Sequence, residues 1–216
     1  AQVTESTLIA CNYMFNINDK EKLFCQKCNK HRPLRAHHCS TCNDCICRMD
    51  HHCWFLNNCV GINNHRYFIQ FLVWLWLILM EYEVTFYVSK LEIQENESYV
   101  IYYAASTMFY VGILFELFVT GLFFTNFRCI LNNQTYLEQK FSWDQLSRYG
   151  YVAVQCPFDQ GSKMENFKTV FGTSMLAWFL PVSLSARDLD ERLMHDSQRC
   201  DLLPCCRQRA RVQQKP

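Results

Sequence analysis

Two almost unbroken apolar runs dominate the pattern along the chain. Residues 69–88 read IQFLVWLWLILMEYEVTFYV and residues 99–124 read YVIYYAASTMFYVGILFELFVTGLFF, with the polar stretch SKLEIQENES at 89–98 between them. A helix needs about 20 apolar residues to cross the hydrocarbon of a bilayer. The pattern therefore predicts a transmembrane helical hairpin closed by a short loop. The competing reading is two buried helices of a soluble protein, which the length of the runs disfavours. Glu81, Glu83 and Glu116 interrupt the runs. A carboxylate within a membrane is expensive and is expected to face protein, a polar cavity or the boundary. Ahead of the hairpin, residues 1–24 form a polar N-terminal segment and 25–68 a cysteine- and histidine-rich module. Behind it come a mixed region, 125–186, and a charged tail, 187–216, expected to be partly disordered. Within the mixed region, 172–181 is apolar but too short to span, and is expected at the membrane surface.

Charge orients the hairpin. The loop holds Lys90 against Glu92, Glu95 and Glu97, whereas the flanks hold Lys27, Lys30, Arg32, Arg35, Arg48 and Arg66 on one side and Arg128, Lys140 and Arg148 on the other. The positive-inside tendency puts both flanks and both termini in the cytosol and the loop in the lumen or outside. Asn96-Glu97-Ser98 is a glycosylation sequon on that outer side, close to the membrane. A multi-pass protein of an endomembrane (Golgi or ER) or of the plasma membrane is expected. No signal peptide is visible after Ala1, and the start reads as the edge of a fragment. The formal net charge of +1 gives no sign of a nucleic-acid partner.

Nine of the fourteen cysteines lie between Cys11 and Cys59, interleaved with His37, His38, His51 and His52, which favours metal over a disulfide framework. The pattern C-x2-C-x9-H-x6-C occurs as Cys25, Cys28, His38 and Cys45, and again, shifted by 14 residues, as Cys39, Cys42, His52 and Cys59. Each copy supplies three thiolates and one imidazole, a full tetrahedral shell for a structural zinc with no open position for water. Two interlocked zinc sites would brace a segment too short to build its own core. The fold class expected is an α-helical integral membrane protein with a small zinc-stabilised, cytosolic cysteine-rich domain of short β-hairpins and loops.

A third copy of the repeat begins at Cys53 and fails at once, because Leu56, Arg66 and Val73 occupy the next ligand positions. Cys53 has no shell to join; Cys47, His37 and His51 are also left over. In an extended segment side chains alternate, so if His52 points to zinc, His51 and Cys53 share the opposite face. A thiol beside an imidazole ionises more readily, and Asp50 is placed to orient His51. Cys53, His51 and Asp50 are thus the candidate catalytic residues, Cys53 as nucleophile. The other reading of Cys53 is an inert thiol or an alternative zinc ligand. About fifteen residues separate Cys53 from the first apolar run, which suits thioester chemistry on a lipid-derived substrate at the bilayer surface.

These residues resemble a known family. The stretch from Cys25 to Phe68, with Arg-Ala-His-His-Cys, Asp-His-His-Cys and Asn-Asn-Cys-Val-Gly, is similar to the cysteine-rich domain of DHHC-type protein S-acyltransferases (palmitoyltransferases). The resemblance implies an enzyme in which Cys53 takes a long-chain acyl group from acyl-CoA, palmitoyl-CoA above all, and passes it to a cysteine of a membrane-associated substrate protein. It implies His51 as base, Asp50 as its assistant, and the eight repeat residues as zinc ligands. Thr135-Tyr136-Leu137-Glu138 resembles the family's Thr-Thr-x-Glu with Tyr136 as a departure, and Asn166, Val170-Phe171-Gly172, Trp178 and Pro181 resemble its C-terminal asparagine motif. Trp54-Phe55 stands where the family has Pro-Trp, and the two helices that usually precede the zinc domain are missing, as in a fragment. A non-catalytic zinc-stabilised membrane adaptor is the alternative. Cys129 and the pair Cys205-Cys206 read either as S-acylated cysteines or as unmodified thiols.

Overall fold

The structure is a computed structural model that describes residues 24–32, 35–93, 99–140 and 158–182. The N-terminal segment before residue 24, the sequon at Asn96, and the tail with Cys205-Cys206 lie outside the described residues. The chain divides into two compact units, Tyr67–Phe127 and the remainder, Ala1–Arg66 with Arg128–Pro216.

The second of these units contains three two-stranded antiparallel hairpins. They pair β1 (Phe24–Cys25) with β2 (Lys30–His31), β3 (His37–Cys39) with β4 (Asp44–Ile46), and β5 (His51–Cys53) with β6 (Asn58–Val60). Cys25 faces Lys30, Cys39 faces Asp44, and Cys53 faces Asn58, so the backbone register repeats with the same 14-residue shift as the sequence. The turns repeat too. Asn29, Asn43 and Asn57 all adopt positive φ, at 51°, 51° and 46°. Asparagine tolerates that left-handed conformation better than most residues, which is what closes each knuckle. Main-chain bonds tie the hairpins together: the Met49 amide donates to the Arg35 carbonyl, Asp50 to Val60, and Ile62 to Cys47. The apolar core here is small, with Cys39, Met49 and Cys59 buried against Ile46 and Leu137.

The other unit is built from helices. Helix α1 runs His65–Ile93 and α2 runs Tyr99–Leu131, each longer than the apolar run that predicted it. Both are long and apolar enough to cross a membrane. The extension of α1 begins at a local cap, where the Asn64 side chain accepts from the Gly61 amide and donates to the Cys59 carbonyl, both at 2.8 Å. The end of α2 is set by Asn133 at φ 49°. Its amide reaches the Ile130 carbonyl and the Gln134 amide reaches Cys129, the two bonds of a Schellman motif. Helix stops follow backbone capping rather than hydropathy, so polar residues such as Asn126 and Arg128 remain helical.

After α2 the chain makes a short helical segment at 136–140, then α3 (Lys163–Phe171) and the single turn α4 (Leu176–Phe179). Gly172 ends α3 at φ 80°, which a side chain would strain. Phe167 stacks on Phe171 at 4.2 Å and meets Trp178 edge-on, and the Trp178 indole donates to the Gly172 carbonyl. In this way Phe171-Gly172 and Trp178, singled out from the sequence, form one packed unit. Met175, Leu176 and Phe179 remain exposed. Cys129 is fully buried, its thiol directed at the Gln139 side chain.

Candidate active site and metal clusters

The eight cysteines and histidines expected as ligands gather into two groups, Cys25–Cys28–His38–Cys45 and Cys39–Cys42–His52–Cys59. Within each, the donor atoms lie within 4.8 Å of one another. In the first, His38 Nδ1 is 3.2 Å from Cys28 Sγ and 3.6 Å from Cys25 Sγ, and Cys45 Sγ is 3.6 Å from Cys28 Sγ. In the second, His52 Nδ1 is 3.4–3.6 Å from Cys39, Cys42 and Cys59, and the Cys42 and Cys59 sulfurs are 3.5 Å apart. A tetrahedral ion with metal–sulfur bonds of about 2.3 Å and metal–nitrogen bonds of about 2.0 Å has edges of about 3.5–3.8 Å. The clusters match that size and donor set. Burial and the neighbouring Cys25 and Cys28 sulfurs push the Cys45 thiol up to about 12. A cation among the four donors would favour the deprotonated forms that ligation uses.

Cys47, Cys53, His37 and His51 belong to neither cluster. Cys53 occupies, in the third hairpin, the backbone position that Cys25 and Cys39 occupy in the first two. The hairpin scaffold repeats three times while the ligand set repeats only twice. Cross-strand pairing sets His52 opposite Cys59, both in the second cluster, so His51 and Cys53 project from the other face of β5. Their Cα atoms are separated by two residues of strand, roughly 7 Å.

Asp50 precedes β5 and is fully buried. Its Oδ2 lies 2.7 Å from His51 Nδ1, its Oδ1 accepts the Tyr136 amide at 2.7 Å, and His65 Nε2 stands 3.9 Å from that same Oδ1. Burial alone would raise the carboxyl, but the His65 and His51 imidazoles and the Tyr136 amide outweigh it and hold Asp50 below the ordinary carboxylate range. Asp50 Oδ2 is thus placed to accept a hydrogen bond from a proton on His51 Nδ1.

The segment carrying Tyr136 is itself fixed by a capping box. Thr135 Oγ1 accepts the Glu138 amide at 3.3 Å, and Glu138 Oε2 accepts the Thr135 amide at 2.9 Å. Glu138 is gripped at the same time by Arg35, with Nε to Oε1 at 2.7 Å and Nη2 to Oε2 at 2.9 Å. Arg35 further donates to the Asn133 carbonyl and side chain and lies 4.2 Å over the Phe158 ring. Asn133 also accepts from Arg48 and donates to the Phe158 carbonyl. Asn166, fully buried, holds the Leu131 carbonyl, the Asp159 carboxylate and the Gln160 amide. Sequence reasoning missed His65, Arg48 and Asn133. Only Arg35 carried a signal, inside the Arg-Ala-His-His-Cys string. The Tyr136 departure is harmless to Asp50, because the contact comes from the main chain and not from the side chain.

The remaining departure is visible at the hairpin tip. Trp54 and Phe55 are 76% and 80% exposed, and Trp54 meets the His52 ring edge-on at 5.0 Å.

Residues 18–142 match the family model described as DHHC palmitoyltransferase. The chain is 30% identical over 201 residues to Palmitoyltransferase PFA3 of Debaryomyces hansenii, covering 84% of this chain and 49% of that protein. It is 33% identical over 167 residues to Probable protein S-acyltransferase 13 of Arabidopsis thaliana, covering 74% and 51%. To Palmitoyltransferase ZDHHC20 of Homo sapiens it is 31% identical over 172 residues, covering 76% and 44%. The chain spans about half the length of the curated relatives it matches. With the family model extending over more than half of its length, the chain belongs to the DHHC palmitoyltransferase family.

Proposed function

We propose that the protein is a protein S-acyltransferase working by two thioester exchanges at Cys53. One observation carries the reading: Cys53 sits at a ligand position of the hairpin repeat, outside both metal clusters, on the same strand face as a histidine held by a buried carboxylate. With Nδ1 donating to Asp50, His51 takes the Cys53 proton on Nε2. The Cys53 sulfur attacks the carbonyl of a long-chain acyl-CoA, palmitoyl-CoA being the expected donor. A new S–C bond forms, the bond to the CoA sulfur breaks, and His51 returns the proton to the departing thiolate. A cysteine thiol of a membrane-associated protein then gives its proton to His51 and attacks the Cys53 thioester; its sulfur forms the new S–C bond, the bond to the Cys53 sulfur breaks, and His51 returns the proton to Cys53, which restores the free thiol. Asp50 stays ionised throughout and stabilises the imidazolium.

The two clusters hold structural zinc in this reading. The three-sulfur, one-nitrogen donor sets and closed shells support that choice. Bound zinc supplies folding free energy and fixes the strand that carries Cys53. The helical hairpin spans the bilayer with both flanks cytosolic, in an endomembrane or the plasma membrane, as the basic flanks support.

The test is incubation of the metal-loaded protein in detergent or membranes with alkyne-tagged palmitoyl-CoA. Hydroxylamine-sensitive label is expected on wild type and absent from Cys53→Ser. A folded, metal-loaded wild type that takes no label would leave a zinc-stabilised membrane adaptor instead.

A further inference from the structure

We propose that His65 is a positioning residue for the acyl-transfer step, aiming its Nε2 at Asp50 Oδ1 and so keeping Asp50 Oδ2 turned to His51. The inference deepens the reading of Cys53 as nucleophile and rests on it.

Main-chain bonds build the juxtaposition into the scaffold. The Asp50 amide donates to the Val60 carbonyl at 2.9 Å, and the His65 amide donates to the carbonyl of the next residue, Gly61, also at 2.9 Å. The Asn64 side chain locks the same stretch by accepting from the Gly61 amide and donating to the Cys59 carbonyl. Asp50 and His65 are thereby anchored to one short piece of backbone, Cys59–Gly61. Both are sealed from water, Asp50 at 0% exposed and His65 at 3%. His65 Nε2 makes no hydrogen bond among the described residues, and it stands 3.9 Å from Asp50 Oδ1. That distance is an electrostatic contact and not a hydrogen bond. A buried polar nitrogen is costly without a partner, and a carboxylate oxygen facing it offsets that cost when Nε2 carries the hydrogen.

The contact matters because the last torsion of an aspartate is soft, broad and roughly two-fold. What surrounds the two oxygens decides which of them meets His51. The Tyr136 amide holds Oδ1 and His51 Nδ1 meets Oδ2, and His65 adds a second N–H dipole on the Oδ1 side. An apolar side chain in its place would remove a donor that water cannot replace in a sealed site. Asp50 would then confine the His51 hydrogen to Nδ1 less firmly. Nε2 is free to take the Cys53 proton only while Nδ1 carries that hydrogen. His65 thus acts on the rate through Asp50 and His51, without touching the thiol or the acyl group.

The test compares two substitutions in the full, metal-loaded chain in detergent. His65→Leu removes both ring nitrogens, and His65→Gln keeps an amide N–H on a side chain of similar reach. Hydroxylamine-sensitive labelling of Cys53 is followed over a range of concentrations of alkyne-tagged palmitoyl-CoA. His65→Leu should lower the maximal labelling rate tenfold or more, with the half-saturating concentration and the metal content unchanged. His65→Gln should recover most of the rate. Nitrogen-15 spectra of the histidine rings should show His51 with its hydrogen on Nδ1 in wild type and His65→Gln, and a mixture of tautomers in His65→Leu. A wild-type rate in His65→Leu overturns the proposal, as does a His65→Gln variant no faster than His65→Leu. Loss of metal in His65→Leu in step with its rate would make the role merely structural and overturns it too. A wild type that takes no label would overturn acyl transfer itself; the His51 tautomer, read on the same samples, still decides the His65 contact, and an unchanged tautomer in His65→Leu overturns it.

Discussion

Arg35→Met tests how the site is held together. The guanidinium makes two bonds to Glu138, one to the Asn133 carbonyl and one to its side chain, and covers the Phe158 ring. Methionine keeps most of the volume and removes all five interactions. Glu138 then loses its bidentate guanidinium partner while still buried, and the bond from the Thr135 amide is no equal replacement. Removing one partner of a buried, hydrogen-bonded ion pair is destabilising by about 3–5 kcal/mol. The consequence reaches the chemistry, because the Thr135–Glu138 capping box positions the Tyr136 amide on Asp50. The assay has two readouts on purified protein, the thermal midpoint in detergent and the yield of hydroxylamine-sensitive label from tagged palmitoyl-CoA. Both should fall in Arg35→Met. In Arg35→Met/Glu138→Gln part of the stability should return, because no charge is left stranded, which a double-mutant cycle would register as coupling. A single Arg35→Met variant with wild-type midpoint and full labelling would refute the claim that this pair supports the site. Equal loss in single and double variants would show that the charge is not what matters.

Cys25→Ser and His52→Ala should each lose metal and unfold the module, whereas Cys53→Ser should keep both ions; metal analysis of the purified variants separates these, and comparable loss in Cys53→Ser would defeat the assignment. Gly61→Ala should destabilise the protein by about 1–3 kcal/mol, seen as a lower thermal midpoint, since the added methyl would lie 2.8 Å from Ile46 Cγ2 and 2.9 Å from the Cys47 carbonyl oxygen. The Asp50 carboxyl is depressed in the folded state, so the stability that it adds is complete above its unfolded value near about 4 and disappears as pH falls through the folded value. The stability difference between wild type and Asp50→Asn should therefore be present above about pH 5 and fall away as pH drops below about 4.

The two cysteine–histidine groups able to hold metal, the thiol outside them and the two long apolar helices were all readable from the amino-acid order, because each depends on local spacing. Four donors within about 21 residues can close on one ion only in a few ways, and the failure of the third copy at Leu56 exposed Cys53 by simple comparison. Apolar length declares itself in the same way. Helix ends did not follow hydropathy: α1 begins at the Asn64 cap and α2 stops at the left-handed Asn133, features decided by main-chain geometry. Nor could one-dimensional order reveal the clamp behind Asp50. Arg35 and Glu138 are 103 residues apart, Arg48 and Asn133 are 85, and the group that reaches the Asp50 carboxylate from Tyr136 is a peptide N–H that every residue but proline carries. Chemical identity is written in side chains and survives as pattern, whereas a long-range contact made by a buried charge or a backbone amide exists only once the chain has folded.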